Sequence, residues 1–169
     1  MRMYALDQVD VALIGLLRAH PRAGALDLSR RMGVARATVQ ARLRRLEEQG
    51  VIIGYGPDID LAAAGHPVLA FVTLEIAQGA LDEVADVLEA IPNVLEAFVT
   101  TGSADVLAKV AASSHQDLQE TLLEVSRAGV VVRSTSVVAL SVVVPPRVLP
   151  LLTSRATHGQ TRAPAFQRD

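Results

Sequence analysis

The hydrophobic period of this chain changes once, shortly after residue 50, and that change limits the folds open to it. Over the first fifty residues apolar side chains recur every three or four positions, as they do on helix faces. Leu6, Val9, Leu13, Leu16 and Leu17 mark one such face, with Asp7 at or beside the N-cap and Pro21 as the stop. A short second helix is predicted from Leu26 to Met32, with Leu28 and Met32 inward. Gly33 supplies the turn that follows. A third helix is predicted from Ala35 or Arg36 to about Gln49, capped by Gly50.

The third helix also carries an unusual charge. The whole chain has a net charge of -2. Residues 1–50, however, hold nine arginines against five carboxylates, and residues 51–145 hold three basic residues against twelve carboxylates. Residues 146–169 hold four arginines against Asp169. A basic head on an acidic body implies two domains with different partners. On the third helix Val39, Leu43 and Leu46 form the inward stripe. Ala37, Gln40, Ala41, Arg44 and Glu48 lie on the other side, with Arg45 flanking. Small residues allow close approach to a surface, and Gln and Arg make paired hydrogen bonds to base edges, as a major-groove helix requires. Ser29 and Gly33 are small where the two helices of a helix-turn-helix must cross. Double-stranded DNA is therefore the expected partner. Arg36, Thr38, Gln40, Ala41 and Arg44 are candidates for base edges, and Arg42 and Arg45 for phosphates.

Past the head, "GVIIGYGPDID" reads as a strand and hinge, with Tyr55 as a packing residue. From residue 66 the pattern is strand, helix, two strands around a turn at Gly102-Ser103, helix, and a long last strand, "GVVVRSTSVVALSVVV". Leu81, Val84, Leu88 and Ile91 are expected inward on the first of these helices. On the second, Leu118, Leu122 and Val125 are expected inward behind a Ser114–Asp117 capping box. The order βαββαβ is ferredoxin-like. Both helices would cover one sheet face and leave the other apolar, so a second copy of the chain is expected to cover it. The division is then a winged-type helix-turn-helix domain at 1–52, a hinge strand and linker at 53–66, a ferredoxin-like α+β domain at 67–145, and a tail at 146–169 that is polar, basic and expected to be partly disordered. Before that tail, "PPRVLPLL" offers Val148, Leu149 and Leu151 for packing onto the body.

The stretch from Leu6 to Tyr55 resembles the N-terminal domain of the Lrp/AsnC (feast/famine) family. The resemblance is carried by Asp7, Asp10, Leu13, Leu28, Gly33, Val39, Arg42, Leu43, Leu46, Glu47, Gly50 and Gly54 among others. One departure is Ala35, where the family usually has Ser; alanine has no side-chain oxygen to cap the third helix. The βαββαβ region resembles the same family's ligand-sensing domain, so the resemblance spans about residues 5–145. It implies an amino-acid effector beside the turn formed by Thr101, Gly102, Ser103, Ala104 and Asp105, at a subunit interface. Gly102 would let backbone approach a carboxylate, and Asp105 would receive an ammonium group. Ser134, Thr135 and Ser136 on the last strand are further candidates, and Ala104 and Val106 stand where relatives often carry aromatics. The expectation is a homodimer or higher oligomer.

Other chemistry finds little support. The chain has no cysteine, which excludes disulfides and thiolate metal sites and fits a reducing cytoplasm. No apolar run is long enough for a membrane span, and no signal peptide is evident. His20, His66, His115 and His158 do not pair at ligand spacing, so no metal and no cofactor are expected. No nucleophile elbow, phosphate loop or triad is present, which argues against an enzyme. The alternative reading is an architectural, nucleoid-type DNA binder without an effector.

Overall fold

The computed structural model describes residues 5–156. The chain divides into two compact units. The first takes residues from both ends of the chain, up to Pro57 and from Pro145 onward; the second runs from Asp58 to Val144. No helix among the described residues is long and apolar enough to cross a membrane.

The first unit contains α1 (Gln8–Ala19), α2 (Ala25–Met32), α3 (Arg36–Glu48) and, from the far end of the chain, α6 (Leu149–Ala156). Asp7 caps α1 in a full capping box: its carboxylate accepts from the Asp10 N–H, and the Asp10 carboxylate accepts from the Asp7 N–H. Leu13, Leu28, Val39 and Leu46 form the core, with Leu43, Val51 and Ile52 packed at its edge. Past Ile52 the expected hinge strand does not form. Among the described residues, 53–60 have no ladder partner, and Ile53 is 95% exposed.

The second unit holds β1 (Val68–Ile76), α4 (Leu81–Ala90), β2 (Val94–Val99), β3 (Val106–Ala112), α5 (His115–Arg127) and β4 (Val131–Ala139). The sheet order is β2-β3-β1-β4, and every neighbouring pair is antiparallel. That is the ferredoxin-like arrangement expected from βαββαβ. Alternate residues of β1, Val68, Ala70, Val72 and Leu74, are buried with Val84 and Leu88 of α4 and Leu118 and Val125 of α5. Leu81, expected inward, is instead exposed at the first position of α4, before the chain has turned onto the sheet.

Two details differ from expectation for reasons of register. β4 ends at Ala139, not Val144, because Ala139 pairs with Leu69 and β1 has only Val68 left to offer. Residues 140–144 then approach Pro145 and Pro146 with no ladder to join, and Leu140 is 99% exposed. The cap of α5 is also rearranged. Ser114 Oγ accepts from the Asp117 N–H, but the Asp117 carboxylate reaches past Ser114 to the N–H and hydroxyl of Ser113, both at 2.7 Å. Those two bonds hold the Asp117 carboxyl below the usual carboxylate range.

Candidate nucleic-acid interface and effector loop

The third helix, α3, is placed by a short, tightly bonded turn. Ser29 is buried, and its hydroxyl donates to the Leu26 carbonyl at 2.8 Å, so it makes no demand on α3. Gly33 sits at φ 66°, a left-handed conformation that glycine adopts without strain, and its N–H donates to the Ser29 carbonyl. Ala35 begins α3 with its carbonyl accepting from Thr38 and Val39 and with no side-chain cap. Val39 and Leu46 are buried beneath. Arg36, Ala37, Thr38, Gln40, Ala41, Arg44 and Arg45 are all on the accessible side of the helix. Six of the seven residues expected to touch DNA therefore share one accessible surface.

Arg42 does not share it. Its guanidinium donates to Asp7 Oδ2 in a short bond and to Asp10 Oδ1 at 2.8 Å. The Asp10 side chain is 1% exposed and that of Arg42 25%. On α3, Arg42 lies three positions from Val39, about 60° from the buried stripe, so it leans toward α1 rather than outward. Arg42, expected at a phosphate, is thus engaged within the head, where it joins α3 to the start of α1. The signal was present in sequence, since Asp7 and Asp10 are three apart and acidic, but only the helix crossing brings them to Arg42. Burial alone would raise the Asp7 carboxyl. The hydrogen bond and charge of Arg42, with the Asp10 and Val9 N–H groups, outweigh it and hold that carboxyl below its ordinary value. The same bonds raise the Arg42 pKa further.

A second tie runs from Tyr55, whose sequence context suggests only packing. Tyr55 lies beyond α3, and its hydroxyl donates to Glu47 Oε1 at 2.5 Å. Partial burial, the hydrogen bond and the carboxylate charge push the Tyr55 hydroxyl up to about 12. The residues leaving the head are thus bonded back onto the last turn of α3.

The proposed effector turn lies at one end of the sheet. Thr100 N–H donates to the Asp105 carbonyl at 2.9 Å, and the Thr100 hydroxyl to the Ala104 carbonyl at 2.7 Å. Gly102 has φ 130°, where a side chain would be strained. Thr101, Gly102 and Ser103 are exposed, and Ala104 is half-buried. Asp105 is bonded to β1 twice: its N–H donates to the Leu74 carbonyl, and its Oδ2 accepts from the Ile76 N–H, both at 2.9 Å. Val106 is buried in the sheet core, so it does not shape the exposed side of this turn.

Strand register splits the three β4 candidates. Ser134 pairs with Leu74, whose other neighbour is Val106, so Ser134 stands one strand beyond the turn. Ser136 pairs with Val72, on the same helix-covered side. Thr135 pairs with Thr73 and faces the open side, where its carbonyl accepts from the Thr73 hydroxyl at 3.3 Å. Among the described residues no group of three or more His, Cys, Asp or Glu side chains is placed to hold a metal ion.

The two units match two known domain families. Residues 6–53 match the winged helix-turn-helix DNA-binding model, and residues 69–149 match the Lrp/AsnC ligand binding domain. The chain belongs to the Lrp/AsnC family. It is 33% identical over 138 residues to the transcriptional regulator LrpA of Mycobacterium tuberculosis, covering 81% of this chain and 91% of that protein. It is 32% identical over 117 residues to the regulator FL11 of Pyrococcus horikoshii, covering 69% and 78%. Its fold is that of a transcriptional regulator from Neisseria meningitidis solved as an L-Met complex, with TM-score 0.77, 22% identity, and 83% and 93% of the chains covered. As a member of the Lrp/AsnC family it is a DNA-binding transcriptional regulator with a ligand-binding domain, and not an enzyme.

Replacing Arg42 by Ala takes a bonded cation away from the buried Asp10 and is expected to destabilise the head by about 3 kcal/mol. The folded Asp7 carboxyl titrates below its unfolded value of about 4, so its stabilisation is complete above that pH and is lost as the pH falls through the lowered value. Thermal unfolding followed from pH 7 to pH 3 is expected to show the wild-type head weakening below about pH 4, with a smaller pH dependence in Arg42→Ala. Identical profiles for the two proteins would remove the triad from the head's stability.

Proposed function

We propose that this regulator binds specific DNA sites as a dimer or larger assembly, in the cytoplasm, and that an amino acid modulates its assembly or its DNA binding. The observation that carries the DNA half is the exposed surface of α3, on which Arg44 lies opposite the Val39–Leu46 stripe with Ala37 and Ala41 beside it. One such helix reads few base pairs, and two half-sites about 34–36 Å apart supply the remaining affinity and specificity. Changing both Arg44 and Arg45 to Ala is expected to weaken binding by roughly 1–3 kcal/mol for each arginine that reads a base edge, and to lower the salt slope by about one for each that neutralises a phosphate. Fluorescence anisotropy with a duplex selected by the wild-type chain measures both. Unaltered affinity and salt slope would rule this surface out.

The assembly half rests on the open sheet face. Leu69, Phe71, Phe98, Leu107 and Val137 lie there, with the ion pairs Lys109–Glu96 and Arg133–Glu75. Phe98 is 53% and Val137 64% exposed in the single chain. A second copy covers such a face by presenting the same residues. Lys109 is the chain's one lysine and stands on this face opposite Phe71, so it reports on the cover. Acylation with an amine-reactive ester is expected to spare Lys109 in the native assembly and to modify it when dilution gives monomers by light scattering. Rapid Lys109 modification in an undiluted oligomer would place the interface elsewhere.

The effector half rests on Asp105. Its Oδ2 is engaged by the Ile76 N–H, which leaves the second carboxylate oxygen to meet an ammonium group, with exposed backbone at Gly102 to meet a carboxylate. The L-Met in the Neisseria regulator's complex supports this class of ligand. Removing Asp105 altogether would also break the bond to Ile76. Asp105→Asn keeps an acceptor for that N–H and loses only the charge. A charge-assisted hydrogen bond contributes about 1.5–3 kcal/mol, so calorimetry with the twenty amino acids is expected to find one that binds wild type and binds Asp105→Asn roughly tenfold to a hundredfold more weakly. Equal affinities would exclude Asp105 from the site. Binding by no amino acid would favour an effector-free architectural protein.

A further inference from the structure

α1 is covered on two sides. Its Leu13 face joins the core with α2 and α3. At 100° per residue Val11 and Gly15 fall on the opposite face, one turn apart. A three-helix head leaves that face to solvent, yet Val11 is only 8% exposed and lies outside the Leu13–Leu28–Val39–Leu46 cluster. α6 packs along α1. A Cβ built on Gly15 would stand 3.5 and 3.7 Å from the two methyl carbons of Leu149, so the missing side chain is the seat for that leucine. Leu149 and Leu152, three residues apart and both half-buried, share one side of α6, and Leu151 is exposed. Pro150 is tolerated because it occupies the first turn, where its lacking N–H has no helical partner to lose.

α6 lies outside both matched family domains except for Leu149, the last residue of the second. We infer that α6 is a fourth helix of the DNA-binding head, seated on the back of α1, and that DNA binding depends on it. The ligand-binding unit is then an insertion within the head, with a connection at each end: the chain departs after Pro57 and returns at Pro145. The departing segment is tacked to α3 by Tyr55 and Glu47. The returning one starts from β4, which carries Ser134 to Ser136 and ends ten residues before α6 begins. A displacement of β4 therefore has a short covalent route to α1. The docking of α6 stands on packing alone, and its effect on DNA rests on the reading given under Proposed function.

The test uses the full chain, with hydrogen exchange read by mass spectrometry and DNA affinity read by anisotropy on a duplex the wild type selects. Changing both Leu149 and Leu152 to Asp is expected to speed exchange of the α1 amides at least tenfold, to weaken DNA binding at least tenfold, and to leave β1 and β3 as protected as in wild type. Unchanged α1 exchange would overturn the docking, and faster exchange with full DNA affinity would overturn the dependence of DNA binding on it. If β1 and β3 also lose protection, Gly15→Ala decides, because its methyl lands at contact distance from Leu149 without removing anything. It is expected to slow exchange about two- to fivefold in α6 as well as α1; slowing confined to α1 would overturn the inference. Failure of the DNA-binding reading looks different, since the wild type would then select no duplex while the exchange measurements still report on α6.

Discussion

β1 is hydrogen-bonded on both sides, and its length and register set what the ligand-binding unit can present. Seven of its residues pair with β3, from Val68 to Leu74, and the pairing with β4 runs from Leu69 to Ile76. The N–H of Ile76, past the end of the β3 ladder, is therefore left for a side chain, and Asp105 takes it. That bond fixes the turn at Gly102 against the sheet. The same register puts Ser134 across Leu74 from Val106 and divides Ser134 and Ser136 from Thr135 between two faces. At its other end β1 has little left to offer beyond Leu69, and β4 stops there. Residues 140–144 join no ladder and stay exposed although their composition favours a strand.

In the head the arginines of α3 divide into two roles by angle. Arg44 points away from the core and is exposed. Arg42, about 60° from the buried stripe, is drawn onto Asp7 and Asp10. The pair of carboxylates serves the α1 capping box and the cation together, so one cluster sets where α1 starts and where α3 crosses it. Ala35 contributes no cap of its own. The cross-link from Arg42 and the core leucines position the recognition helix in its place.

The head also shows why a segment's role depends on what it meets. "PPRVLPLL" is a short apolar run after two prolines, compatible with many destinations. The seat on α1 is the gap at Gly15, too small a pattern to stand out against the stronger Leu6–Leu13–Leu17 face. Only when α6 meets α1 does the second apolar face of α1 acquire meaning.

The periodicity in the sequence was sufficient for the three head helices, the βαββαβ order and the apolar second face of the sheet, because burial imposes a repeat of 3.6 on helices and 2 on strands. It was sufficient, too, for the charge contrast and for the exposed set Arg36, Thr38, Gln40, Ala41, Arg44 and Arg45. Tertiary structure decided what depends on a partner distant in the chain. Arg42 and Asp10 are 32 residues apart, and Ile76 and Asp105 are 29 apart. The hinge at residues 53–60 and the residues after β4 have the composition of strands, yet a strand exists only where a neighbour supplies hydrogen bonds. Of the tail at 146–169, expected to be partly disordered, residues 149–156 form α6, and residues 157–169 lie outside the described residues. Local pattern specifies which side chains seek burial; the crossing of helices and the register of strands specify which of them find each other.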